Sequence, residues 1–124
     1  MKLHHLALGS PNVERAASFY VKVIGLRELQ RHNDSSGELR SIWLTLDDAI
    51  LMIERTQEPL RPVSGVGSGL FLIAFRVQPD GRREIEQRLI EYGQIIEAAS
   101  EWTFYTRDPD GNRLAFSYYP LPTS

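Results

Sequence analysis

The 124-residue chain contains no cysteine. That excludes disulfides, thiolate zinc sites and cysteine nucleophiles together. No apolar run approaches the roughly 18 residues that a membrane-spanning helix needs. The opening stretch, MKLHHLAL, is too short and too rich in histidine for a secretory signal. A cytoplasmic protein with no membrane partner is the expectation. Net charge is also scarce: 14 basic residues against 16 acidic ones leave −2. Nothing in that balance argues for nucleic acid, and no basic helix argues for a lipid surface. A G-x-S-x-G elbow is missing, and GVGSG at 65–69 lacks the Lys-Ser/Thr of a phosphate loop and opens a strand instead of a helix. What is present is ordinary globular material, 42% hydrophobic and 24% charged. One domain of this length buries a sizeable core.

Along the chain one pattern occurs twice. KLHHLALG reads as a strand. Asn12 then caps a helix in which Val13, Ala16, Ala17, Tyr20 and Ile24 recur at helical spacing, and Gly25 ends it. LRELQRHN, LRSIWLTL and ILMIE follow as strands joined by tight polar turns. The stretch RTQEPLRPVSGVGSG, 55–69, is too rich in proline, glycine and serine for a helix or a central strand. Beyond it, LFLIAFRV reads as a strand and DGRREIEQRLIEYG as a helix with Ile85, Leu89 and Tyr92 on one side and Gly93 as its stop. QIIEAA, EWTFYTR and NRLAFSYY complete the set. DPDG, between the last two, suits a type I turn. The expected architecture is α+β. A βαβββ module spans about 1–54, a connector 55–69, and a second module about 70–119.

The doubled βαβββ order, the HLAL first strand, FYVKVIGL at 19–26 and DPDGN before the last strand resemble the vicinal oxygen chelate superfamily. That group includes glyoxalase I, extradiol dioxygenases, fosfomycin-resistance enzymes and metal-free bleomycin-binding proteins. The resemblance implies curled mixed sheets that form a cleft around a divalent metal, often within a homodimer. It places one ligand on His5, directly before LAL. It places a first-half carboxylate on Glu54, which shares a strand face with Ile50 and Met52. The remaining family ligands fall on Leu72, before IAF, and on Ala115, after NRL. Neither side chain can bind a metal.

Two readings follow. In the first, the protein binds a small organic ligand in an apolar cleft without a complete metal site or any other cofactor. His5, Ala7, Trp43, Met52, Glu54, Leu72, Ala74, Ala115 and Ser117 line that cleft. In the second, it is a glyoxalase-type lyase or isomerase that uses zinc, nickel, manganese or iron. His5 and Glu54 then serve as metal ligands, or Glu54 as the catalytic general base for proton abstraction beside a carbonyl. The bland reading of Glu54 is an exposed strand end, and of His4 and His32 surface or hairpin positions. Arg40, Arg76 and Arg107 could meet an anionic group, but solvated sheet-edge arginines are the simpler expectation. Side-chain alternation puts Leu72 with Ala74 and puts Arg113 with Ala115 and Ser117. It leaves Phe71, Ile73, Phe75, Leu114 and Phe116 for a helix-covered core.

Overall fold

The structure, a computed structural model, describes residues 1–122. The chain forms two compact units, Met1–Arg61 and Pro62–Ser124. Their boundary falls inside the proline-rich connector, where 56–72 holds no helix or strand.

In the first unit, β1 (His5–Ser10) leads into α1 (Val13–Phe19), then β2 (Glu28–Asn33), β3 (Leu39–Leu46) and β4 (Ala49–Arg55). The sheet order is β1-β4-β3-β2, with β1 parallel to β4 and the other neighbours antiparallel. Asn12 caps α1 as expected: its side-chain oxygen accepts from the Arg15 N–H at 3.0 Å. The helix does not run evenly to Gly25. Tyr20–Ile24 widens into a π-turn, in which the N–H groups of Gly25 and Leu26 both donate to the Tyr20 carbonyl at 3.0 Å. Gly25 closes it at φ 91°, a left-handed conformation that glycine adopts freely. Val13, Ala16, Ala17 and Phe19 are buried, and α1 packs on β3 and β4, whose Ile42, Leu44, Leu51 and Ile53 are buried.

Two charge clusters fasten the rim of this unit. Arg31 donates to Glu14 on α1 at 2.6 and 2.8 Å and to Glu28 at 2.9 Å. The Arg31 hydrogen bond is the main reason the Glu14 carboxyl lies below its usual range. In the β2–β3 turn, Asp34 accepts from Arg55 at 2.7 Å, from the Ser36 hydroxyl at 2.7 Å and from the Glu38 N–H at 3.0 Å. Arg55 first, then Ser36 and Glu38, hold the Asp34 carboxyl far below the ordinary carboxylate range.

The second unit repeats the scheme: β5 (Ile73–Arg76), α2 (Pro79–Tyr92), β6 (Ala98–Ala99), β7 (Thr103–Arg107) and β8 (Arg113–Ser117), in sheet order β5-β8-β7-β6. Phe75, Phe116 and Phe104 stack across it, with centroids 5.4 and 5.1 Å apart. α2 buries Ile85 and Leu89, and its Arg82 lies 5.5 Å over the Phe104 ring, so the stack is the helix side of the sheet. The DPDG turn forms with the Gly111 N–H donating to the Asp108 carbonyl at 3.1 Å, while Asp108 Oδ1 accepts from the N–H groups of Asp110 and Asn112. Two expectations shorten: QIIEAA yields only Ala98–Ala99, and β5 begins at Ile73, so Leu70, Phe71 and Leu72 precede it. Among the described residues no helix is long and apolar enough to cross a membrane.

Candidate functional site

With α1 on one side of the first sheet, the opposite face carries three cross-strand levels. His5, Ile50 and Thr45 form the first. Ala7, Met52, Trp43 and Gln30 form the second. Gly9, Glu54, Ser41 and His32 form the third. Residues paired across neighbouring strands have side chains in reach of one another. The His32 and Trp43 rings accordingly meet, with centroids 4.6 Å apart. Three polar atoms on this face, His32 Nε2, Ser41 Oγ and Trp43 Nε1, are buried with no hydrogen-bond partner among the described residues. Ser41 is 1% exposed. His32 is thus a hairpin residue, as expected, but not an exposed one. It sits half-buried against the tryptophan, opposite Ser41.

The same register separates His5 from Glu54. His5 enters β1 level with Ile50, whereas Glu54 is level with Gly9 at the far end of β4. Four residues of parallel strand set the two about 13 Å apart along the sheet. The register therefore does not pair His5 with Glu54. His5 is exposed instead, with its Nδ1 2.9 Å from Nδ1 of His4. The residues present do not fit a divalent ion. Among the described residues no three histidine or acidic side chains come together in a way that could hold one.

In the second unit, the helix-free face has Arg113 opposite Arg107, then Ala115 with Ala74 and Tyr105, then Ser117 with Arg76 and Thr103. Thr103 and Ser117 share a hydroxyl–hydroxyl hydrogen bond of 2.7 Å. Arg107 is not a solvated edge residue: it donates to Glu97 at 3.0 Å and to the Gly111 carbonyl at 3.0 Å. Arg40 and Arg76 are exposed, as expected. The Arg113 guanidinium lies 4.8 Å over the Phe71 ring and 4.9 Å over Tyr105. Phe71 thus packs toward the helix-free side and not into the core with Ile73 and Phe75. Strand alternation cannot assign Phe71 or Leu72, because the strand starts only after them. Ala115 is 1% exposed, so its methyl is enclosed and does not line an open surface. Ala74 and Ser117 border a cavity of about 260 Å³, walled also by Phe75, Arg76, Tyr119 and Leu121.

Residues 2–116 match the profile of the Glyoxalase/Bleomycin resistance protein/Dioxygenase superfamily. The chain belongs to this superfamily. A fosfomycin resistance protein, FosX from Listeria monocytogenes, solved in complex with Mn(II) and a dihydroxypropylphosphonic acid, superposes with a TM-score of 0.80 at 15% identity. That match covers 97% of this chain and 94% of FosX. A glyoxalase family protein from Enterococcus faecalis gives 0.74 at 26% identity, over 94% of this chain and 96% of its own. TioX from Micromonospora sp. ML1 gives 0.69 at 24%, over 94% and 98%. No curated protein sequence matches the chain. Likeness at this identity concerns the fold.

The residues that sequence patterning missed are Ser41, His32 and Arg113. Ser41 carried a signal, since it alternates with Trp43 on β3. His32 carried none until the β2–β3 register placed it opposite Ser41. Arg113 shares parity with Ala115, but its two aromatic neighbours come from separate segments.

Proposed function

We propose that this member of the superfamily is a binding protein. It holds a small, flat organic ligand on the helix-free face of its first sheet and uses no resident divalent ion. The observation that carries this reading is the group of three polar atoms on that face that are buried with no partner among the described residues, two of them on the touching His32 and Trp43 rings. A buried polar group left unmade costs roughly 1–3 kcal/mol. An indole N–H can only donate, and a serine hydroxyl or an imidazole nitrogen can donate or accept. A ligand carrying a carbonyl beside a flat ring would satisfy Trp43 Nε1 while stacking near Trp43 and Met52. Glu54, one level further, would accept from a donor on the same ligand. The strand register, which sets Glu54 level with Gly9 and not with His5, supports the binding reading over the lyase reading. We further propose a cytoplasmic homodimer.

A thermal-shift screen tests the function. Planar carbonyl-bearing heteroaromatics should raise the melting temperature, because they bind the folded state alone. Aliphatic compounds of equal size should not. The shift should vanish in Trp43→Phe and shrink in Ser41→Ala. A ligand whose shift survives Trp43→Phe unchanged would place binding elsewhere and overturn this reading.

A further inference from the structure

The second unit holds a cation whose counter-charge is missing. Arg113 and Arg107 face each other in register across β8 and β7. Like charges set directly opposite are unfavourable. Arg107 is neutralised by Glu97 at 3.0 Å. Arg113 has no carboxylate partner and no hydrogen bond among the described residues. Its Nε is buried without a partner among the described residues. The guanidinium is clamped between Phe71 and Tyr105, at 4.8 and 4.9 Å. Both distances lie within the roughly 6 Å of an attractive cation–π contact. The contact with two rings stabilises the charge. It does nothing for the N–H groups at the guanidinium edge, which are what a carboxylate engages through two parallel hydrogen bonds.

We propose that Arg113 is a pre-positioned receptor for an aromatic carboxylate. Several features select that ligand. The aromatic clamp has already removed the rotamer freedom that binding would otherwise have to remove. Tyr105 and the exposed, small Ala74 flank Ala115 on the same face, and Ala74 adds little side-chain bulk near the cation. Only one of the two arginines is free of a carboxylate, which suits a monoanion better than a dianionic phosphonate. This site lies in the second unit and stands apart from the Trp43 reading.

The test is calorimetric titration of the full chain with 2-naphthoate, 2-naphthamide and phenylphosphonate. 2-Naphthoate should bind at least tenfold tighter than the uncharged amide and tighter than the phosphonate. Arg113→Lys keeps the charge but loses the planar fork and the stacking, and should weaken naphthoate binding at least tenfold. Arg40→Gln, an exposed arginine of the first unit, should leave binding unchanged. The Arg113 Nε–Hε resonance of the unmodified protein should move on adding naphthoate, a readout that does not depend on the variant folding. Equal binding of acid and amide, an unmoved Nε–Hε resonance, or a folded Arg113→Lys protein with parental affinity would overturn the proposal. Preference for phenylphosphonate would overturn the choice of carboxylate. Failure here with the Trp43-dependent thermal shift intact would leave the proposed function standing, and the converse result would leave Arg113 standing.

Discussion

Replacing Gly111 by alanine should destabilise the second unit far more than the same change at Gly93. Both glycines adopt left-handed backbone, φ 87° and 97°. An alanine forced into that region costs roughly 1–2 kcal/mol at either site. The surroundings then separate them. A Cβ at Gly93 would meet nothing within 4 Å, whereas one at Gly111 would lie 2.9 Å from Pro62 Cβ and 3.0 Å from Pro62 Cα. The second contact is with backbone, so the clash cannot be relieved by a rotamer change. The β7–β8 turn or the connector must shift, at an overpacking cost of about 1–3 kcal/mol. The Gly111 substitution should therefore cost about 2–5 kcal/mol in total, and Gly93→Ala only its conformational 1–2 kcal/mol. Urea unfolding followed by circular dichroism and tryptophan fluorescence measures both, with the change in midpoint at constant slope as the readout. Equal midpoint losses would refute the Pro62 contact. An unchanged midpoint for Gly111→Ala would refute the turn geometry itself. The carbonyl of Gly111 also accepts from Arg107, so the variant should loosen the arginine that faces Arg113.

Acid should destabilise the first unit. The folded-state pKa values of Asp34 and Glu14 lie below their ordinary values, so their contribution is complete above the unfolded carboxylate range near about 4. It is lost as pH falls through the folded pKa values, and Asp34→Asn should flatten that acid limb in pH-dependent unfolding. Thr106→Val should cost about 1–2 kcal/mol, because the buried Thr106 hydroxyl donates to the Ile95 carbonyl at 2.7 Å. Ser41→Ala removes a hydroxyl with no partner among the described residues and should be neutral or stabilising in the same urea assay. Elemental analysis of the purified protein should find well under one zinc, nickel, manganese or iron per chain, and chelation should leave the melting temperature unchanged. One tightly held ion per chain would refute the metal-free reading. Light scattering should give twice the 14.2 kDa mass of one chain, and a particle of single-chain mass would refute the dimer.

Local chemistry along the chain was enough to specify the elements. Asn12, Gly25 and Gly93 mark helix ends by side-chain capping and left-handed backbone, both properties of a few neighbouring residues. The alternation in LRSIWLTL and RLAFS distinguishes the helix-packed face from the other, although Ser41 and Ala115 on that other face are buried too. Aspartate, proline and glycine in DPDG define a tight turn before any partner strand is known. The apolar residues at 72 and 115 were likewise plain in the sequence. Register and strand limits were not, because they depend on pairing between distant segments. The face shared by Ile50, Met52 and Glu54 follows from alternation, but only the pairing of β1 with β4 puts Glu54 level with Gly9 and away from His5. His32 joined Trp43 because the β2–β3 ladder aligned them, and Phe71 left the core because β5 starts two residues after it. The clamp on Arg113 brings together three segments that no local pattern connects. Helix caps and turns are decided by neighbours in sequence, whereas a site is decided by neighbours in space.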